Sequence, residues 1–392
     1  MNTKQVMDLY DKYVMGTYTR VPLVFEKATG ALVEDIEGKK YLDFFPGWAV
    51  SGIGHCHPRV ASAISRQARK LIHVSNNYYS ALQGVLAGKI VEHSFPGKVF
   101  FCNSGAEANE GAIKLARKYG HEKGRYEVIT MKNSFHGRSL AMIAATGQEK
   151  VKLGFEPLPE GFKHIPFQDA GALESAVTEK TAAVMMELIQ CEGGINIASN
   201  EYVKRVREIC DKNDLVLIFD EVQTGMGRTG RMFCYQNYGI KPDVMTLAKS
   251  LGGGVPIGAV VAGSKFADTL NPGSHASTFG GSPLVSAAAL GVFEAIEKDK
   301  LLRNAVKQGA YLVSKLEALK KKYGIIKDVR GMALTVGLEL NIEGQTVYEK
   351  CLKKGLIINC TQKNILRIMP PLTVKKNEID KAVLILESVL AQ

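Results

Sequence analysis

The chain has 392 residues, 46% hydrophobic and 23% charged, with no biased tract. That composition excludes a disordered, collagen-like or disulfide-scaffold protein, and the length predicts two to three domains at about 150 residues each. The 50 Lys and Arg against 39 Asp and Glu leave a net charge of +11, yet no basic stripe interleaves with aromatics. The charge therefore suits acidic metabolites and phosphates rather than nucleic acid.

The first 45 residues predict a helix and a turn-rich strand pair around EDIEGKKYLDF, packed with the C-terminal part. The opening MNTKQVMDLYDKYVMGTYTR lacks the apolar core of a secretory signal. No apolar run reaches the roughly 18 residues of a membrane span. The seven cysteines include no CxxC pair, so reduced thiols in a cytoplasmic protein are expected.

From about residue 50 to 290, short apolar runs alternate with helical patterns. KVFFCNS (98–104) reads as a strand feeding the helix GAEANEGAIKLARKYG. Further strands are YEVITMK (126–132), AAVMMEL (182–188), LVLIFDE (215–221), DVMTLAK (243–249) and IGAVVAG (257–263). Continuously apolar strands between helices imply a parallel or mixed sheet covered on both faces. Helices near 282–297 and 300–322 follow. The strand VRGMALTVGLEL, a helix near 344–354, LIINC, ILRIMP and a helix from about 376 then read as a smaller α+β domain. The expected division is 1–50, 51–295 and 296–392.

Two strings are decoys. GMGRTG at 225–230 matches the dinucleotide fingerprint, but five residues separate the strand from its glycines and RMFCYQNYG is a poor helix opening. HCHP at 55–58 has two histidines and no third ligand, and Pro58 suggests a helix start. No metal site is expected.

Three other signals reinforce one another. Asp220 ends a buried strand, where a carboxylate is costly unless it meets a cation. Alone it would read as a cap or a buried ion pair. Lys249 ends another strand before Gly252, Gly253 and Gly254. Desolvation there lowers an amine pKa and makes it nucleophilic, although an isolated lysine would more simply snorkel to the surface. NSGAEANE (103–110) turns from a strand into a helix N-terminus, which is an anion site as well as an ordinary cap. A phosphate pocket, a ring-nitrogen carboxylate and a Schiff-base lysine at strand ends are the groups that pyridoxal phosphate requires.

NSGAEANE, FHGRS, FDEVQTGMGRTG, TLAKSLGGGVPIGA and the Ser-Thr-Phe-Gly-Gly run at 277–281 resemble the class III, subgroup II, pyridoxal-phosphate aminotransferases. The similarity runs from residue 16 to 372 and is greatest to the acetylornithine aminotransferases. It implies an α/β protein of fold type I, with a large domain whose mixed, mostly parallel sheet is covered by helices, plus the smaller α+β domain. It also implies a homodimer with shared active sites.

By resemblance, Lys249 would hold the cofactor covalently and act as the base. Asp220 would pair with the ring nitrogen and Gln223 with the phenolic oxygen. Phe135 and Val222 would sandwich the ring. Gly105 and Ala106 would give N–H groups to the phosphate, with Ser104 and Glu221 also in the cofactor-binding set. Thr278 would reach the phosphate in the neighbouring subunit. Arg138, with Ser277 nearby, would bind one substrate carboxylate. Arg367 would bind the α-carboxylate of glutamate, and Glu192 would cover Arg367 for other substrates. The implied reaction exchanges the 5-amino group of N-acetylornithine with 2-oxoglutarate, in arginine biosynthesis. Ornithine, 4-aminobutyrate and succinyl-diaminopimelate aminotransferases are the alternatives, and Gly47 favours an acylated substrate by leaving room. Trp48, Ala106, Leu188 and Cys191 depart from the usual pattern of an aliphatic residue, Thr, Pro and Gly.

Overall fold

The computed structural model describes all 392 residues. A seven-stranded sheet lies at the centre, in the spatial order Gly97–Cys102, Gly258–Gly263, Val244–Leu247, Val216–Asp220, Thr181–Met186, Glu127–Met131 and Phe162–Ile165. Only Gly258–Gly263 runs against its two neighbours; the other pairings are parallel. Strands such as Val216–Asp220 and Thr181–Met186 are buried at every position, as a sheet covered on both faces requires. Each fully buried aliphatic or aromatic side chain there contributes about 1.5–3 kcal/mol.

The helix Gly105–Gly120 shows how one face is sealed. Ser104 caps it, its Oγ accepting from the Glu107 N–H at 3.2 Å. Ala108, Ala112, Leu115 and Ala116 fall on one stripe and are buried. A Cβ at Gly111 would stand 3.0 Å from Val260, so helix and sheet are nearly in backbone contact.

Two four-stranded sheets flank the centre, and a two-stranded sheet of Ile189–Gln190 and Asn196–Ile197 carries Glu192 in its turn. Residues Ile326–Met332, Thr335–Leu340, Ile365–Ile368 and Asn359–Thr361 form an antiparallel sheet. The N-terminal strands Phe25–Thr29, Leu32–Asp35 and Lys40–Asp43 are joined in parallel by Leu356–Ile357, which ties the chain's start to its end. VRGMALTVGLEL is two strands rather than one. The chain reverses at Ala333, which has φ 49° and lies against Gly309 of the helix Leu301–Lys322. Apolar alternation continues through that turn, so the sequence pattern hides it.

Both decoys resolve as structure. His55 pairs with Asp43 at 2.8 Å and His57 with Asp299 at 3.2 Å, and Pro58 opens the helix Pro58–Ala68. GMGRTG opens no helix. No group of three or more metal-binding side chains occurs. No helix is long and apolar enough to cross a membrane, and all seven cysteines are free.

Candidate active site

The parallel strands end on one edge of the central sheet, where open α/β sheets bind ligands. A cavity of 510 Å³ opens there. Its floor is the carboxylate of Asp220, 4% exposed at the end of Val216–Asp220. Oδ2 accepts from His136 Nδ1 and from Asn109 Nδ2, each at 2.8 Å, and Oδ1 accepts from the Val222 N–H at 3.0 Å. Asn109 in turn accepts from Thr246 Oγ1 at 2.7 Å and donates to the His136 carbonyl. Such a buried network satisfies the carboxylate and fixes its direction, because three donors face it.

Lys249 follows the next strand with φ 44°, a conformation that turns its side chain into the cavity. Burial lowers its pKa below the ordinary ammonium value, against the opposing charges of Glu192, Cys191, Asp220 and Glu187. On the other side stand Ser104, Gly105 and Ala106, the first turn of Gly105–Gly120. Its free N–H groups and dipole favour an anion. A Cβ at Gly105 would lie 2.7 Å from Val222, so only glycine lets this turn approach so closely.

The loop after Glu127–Met131 supplies Phe135 and Arg138, with the Arg138 guanidinium 5.6 Å from the Phe135 ring centre. Phe135 is held by Glu187, whose Oε1 accepts its N–H at 2.8 Å. Burial, reinforced by Asp220, raises the Glu187 carboxyl well above the usual range.

The rim is an ion pair between two sheets. Arg367, 1% exposed, donates to Glu192 Oε1 at 2.6 Å and Oε2 at 3.3 Å, to Asn359 Oδ1 at 2.8 Å and to the Cys191 carbonyl at 3.2 Å. The rings of Phe45 and Trp48 lie 4.8 and 5.2 Å from its guanidinium. Gly47 sits in a turn with φ 56°, and the aromatic that reaches this cation comes from the following residue, Trp48.

Of the residues expected at the site, Ser104, Gly105, Ala106, Phe135, Arg138, Glu192, Asp220, Val222, Gln223 and Lys249 line one cavity. Arg367 lies behind Glu192. Glu221 is a correction: its carboxylate faces away and accepts from the N–H groups of Cys234 at 2.5 Å and Tyr235 at 2.7 Å. Burial raises it to about 7. Strand alternation explains this, since Asp220 and Glu221 point to opposite sides. Ser277 is at the margin, accepting from Asn103 Nδ2 at 3.2 Å, and Thr278 is exposed outside the cavity. Sequence reasoning missed Asn109 and Glu187. Glu187 carried the same signal as Asp220, an acid at the end of an apolar strand. Asn109 gave none, since it sits mid-helix.

The description "Aminotransferase class-III" matches residues 13–390. The chain is 51% identical to the acetylornithine aminotransferase of Methanocaldococcus jannaschii, covering 100% of this chain and 99% of that one. It is 53% identical to the acetylornithine aminotransferase of Caldanaerobacter subterraneus subsp. tengcongensis, over 97% and 98%. Among solved structures, it superposes with TM-score 0.96 and 34% identity, over 100% and 94%, on an ornithine aminotransferase of Toxoplasma gondii whose active site holds PLP at partial occupancy.

Proposed function

The chain belongs to the class-III aminotransferases, and from that premise we propose that it moves the 5-amino group of N-acetylornithine to 2-oxoglutarate, giving N-acetylglutamate 5-semialdehyde and glutamate in arginine biosynthesis. It is a pyridoxal-phosphate-dependent enzyme acting on small amino-acid substrates.

The residues present fit the cofactor. Gln223 Oε1 is buried without a partner, while its Nε2 is spent on the Trp48 carbonyl at 3.0 Å. Lys249 Nζ makes no hydrogen bond or ion pair, the Asp220 carboxylate is aimed into the cavity, and the Gly105–Ala106 turn offers free N–H groups. We assign Lys249 to hold the cofactor, Asp220 to the ring nitrogen, Gln223 to the phenolic oxygen, Phe135 and Val222 to the ring faces, and the 104–106 turn to the phosphate. When bound, the cofactor supplies a protonated conjugated ring that draws electrons from the substrate carbon.

The remaining work falls to this chain. Lys249 Nζ, its pKa lowered by burial, carries the proton that leaves the amino-bearing substrate carbon. Asp220, locked by His136 and Asn109, holds its carboxylate fixed opposite. Arg138 binds a substrate carboxylate. The observation that carries the substrate class is the Glu192–Arg367 pair at 2.6 Å. A permanently open guanidinium would leave a buried charge unpaired beside a neutral amide, at a cost of several kcal/mol. With Glu192 over Arg367, the acetylated substrate meets a neutral surface; with Glu192 turned away, Arg367 takes the second carboxylate of glutamate.

We also propose a cytoplasmic homodimer, with 51–295 as its cofactor domain and 296–392 as the smaller one. Tyr79, Tyr78 and Phe279 are exposed beside Thr278, and the helix Thr3–Tyr13 buries no residue, which supports a second copy as their cover. Mixing Lys249→Ala with an inactive Thr278 variant should regenerate one intact site per heterodimer, and no recovery after verified exchange would exclude the shared site.

A panel of amino donors with 2-oxoglutarate tests the substrate. N-Acetylornithine should give the highest kcat/KM, and a higher value for ornithine, 4-aminobutyrate or succinyl-diaminopimelate would replace this reading with that activity.

A further inference from the structure

GMGRTG, the string that resembled a dinucleotide fingerprint, lines no part of the cavity. It is where the central sheet's loop meets the C-terminal region. At Gly227, φ 90°, a Cβ would stand 2.8 Å from Leu372 and 2.9 Å from Leu302. At Gly230, φ 86°, it would stand 2.6 Å from Val306. Larger residues at either position would lift the two regions apart.

Between these glycines stands Arg228, 1% exposed. Its Nη1 donates to the Pro370 carbonyl at 2.5 Å and to the Leu334 carbonyl at 3.3 Å. Nε and Nη2 have no partner, and no carboxylate pairs with the guanidinium. Burial pushes its pKa down to about 10. A buried cation without an acid is costly, and a methionine would fill the same space without that cost. The compensation visible here is two carbonyls from the C-terminal sheet, one in the turn at Leu334 and one at Pro370.

Pro370 lies three residues beyond Arg367 on the same extended segment. That segment is tied on its other side to the N-terminal loop, through the Met369 N–H to the Phe44 carbonyl and the Leu372 N–H to the Gly52 carbonyl, both 2.7 Å. Arg228 provides the tie to the central sheet. Its own loop is stitched to Glu221, next to Asp220, by the Gly225 N–H to the Glu221 carbonyl at 2.9 Å, and Glu221 is tied to the neighbouring strand Val244–Leu247 by its N–H to the Thr246 carbonyl at 3.1 Å.

We propose that Arg228 is a positioning residue for Arg367, fixing the end of Ile365–Ile368 against the loop that begins at Asp220. It thereby sets the spacing between the carboxylate floor and the substrate-binding guanidinium. The inference rests on the proposed role of Arg367 in binding a second carboxylate.

The test is a double-mutant cycle on the holoenzyme with glutarate, a dicarboxylate without an amino group to react. Its Kd is measured by calorimetry in the wild type, Arg228→Met, Arg367→Met and the double variant. Misplacing a binding group by about 1 Å costs up to about a hundredfold, so Arg228→Met should weaken glutarate by about tenfold or more. In the Arg367→Met background the same change should have almost no effect, because the group being positioned is gone. The visible absorbance of the bound cofactor should be unchanged. An unaltered Kd in Arg228→Met, or equal losses in both backgrounds, would overturn the proposal, the second outcome meaning general loosening. Arg367→Met alone tests the role of Arg367, so failure of that role is read separately. If Arg228→Met does not fold, Arg228→Lys, which keeps the cation and a donor, decides by the same comparison with a smaller loss.

Discussion

The floor and the rim of the cavity are built on different plans. At the floor, Asp220, Asn109, His136 and Thr246 all belong to the central sheet or to segments packed on it; Asn109, His136 and the Val222 N–H donate to one carboxylate, and Thr246 braces Asn109. At the rim, Glu192 and Arg367 come from two sheets. The loop that carries Glu192 is gripped from the C-terminal side, by Thr361 Oγ1 and Gln362 Nε2 on the Glu192 carbonyl, each at 2.9 Å, and by Arg330 on Gly194 at 2.7 Å. The floor holds one charge in one place. The rim holds its loop backbone, while the Glu192 side chain, 21% exposed, is held by the Arg367 guanidinium alone. On the proposed roles, the group needed in every turnover is held by three donors, whereas the one that must move between substrates has a single side-chain partner.

The largest expected effect lies at the floor. Lys249→Ala should lower turnover by about four orders of magnitude or more, since both the covalent holder and the base are lost. Borohydride reduction of the wild type followed by peptide mapping should place the label on Lys249, and label on another lysine would refute the assignment. Asp220→Asn keeps the size and removes the charge. It should cost about a hundredfold or more in single-turnover rate, and near-normal rates would sink the role.

Asn109→Ala sharpens the contrast. It leaves a lone pair of Asp220 and the Thr246 hydroxyl without partners, so stability should fall by about 1–3 kcal/mol in denaturant unfolding. Glu192→Ala should slow the acetylornithine half-reaction far more than the glutamate one, as followed by stopped-flow absorbance. Equal losses in both would make Glu192 merely structural and erase the distinction between floor and rim. The smallest effect should come from Trp48→Ala. Its ring is half-exposed over Arg367, and a cation–π contact of that kind contributes about 0.5–1 kcal/mol. The KM for glutamate should shift by only about two- to fivefold.

The sequence by itself determined most strands of a parallel or mixed sheet and which of them end in chemistry. Buried strands are continuously apolar, so an Asp or Lys at such an end stands out against its run, as Asp220 and Lys249 do. Glycine requirements were equally local, and the turn at 104–106 announced a helix N-terminus by composition alone. Tertiary structure decided the rest. Which of two adjacent acids faces the cavity depends on strand orientation, so Asp220 enters and Glu221 does not. That Asn109 supports the carboxylate depends on a helix crossing the strand 111 positions later. Arg367 is an ordinary arginine until the antiparallel sheet carries it to Glu192, 175 residues away. GMGRTG reads as a nucleotide loop in isolation. Only packing against Leu302, Val306 and Pro370 shows it to be the seat between two sheets, because contacts between distant segments leave no periodic mark on the chain.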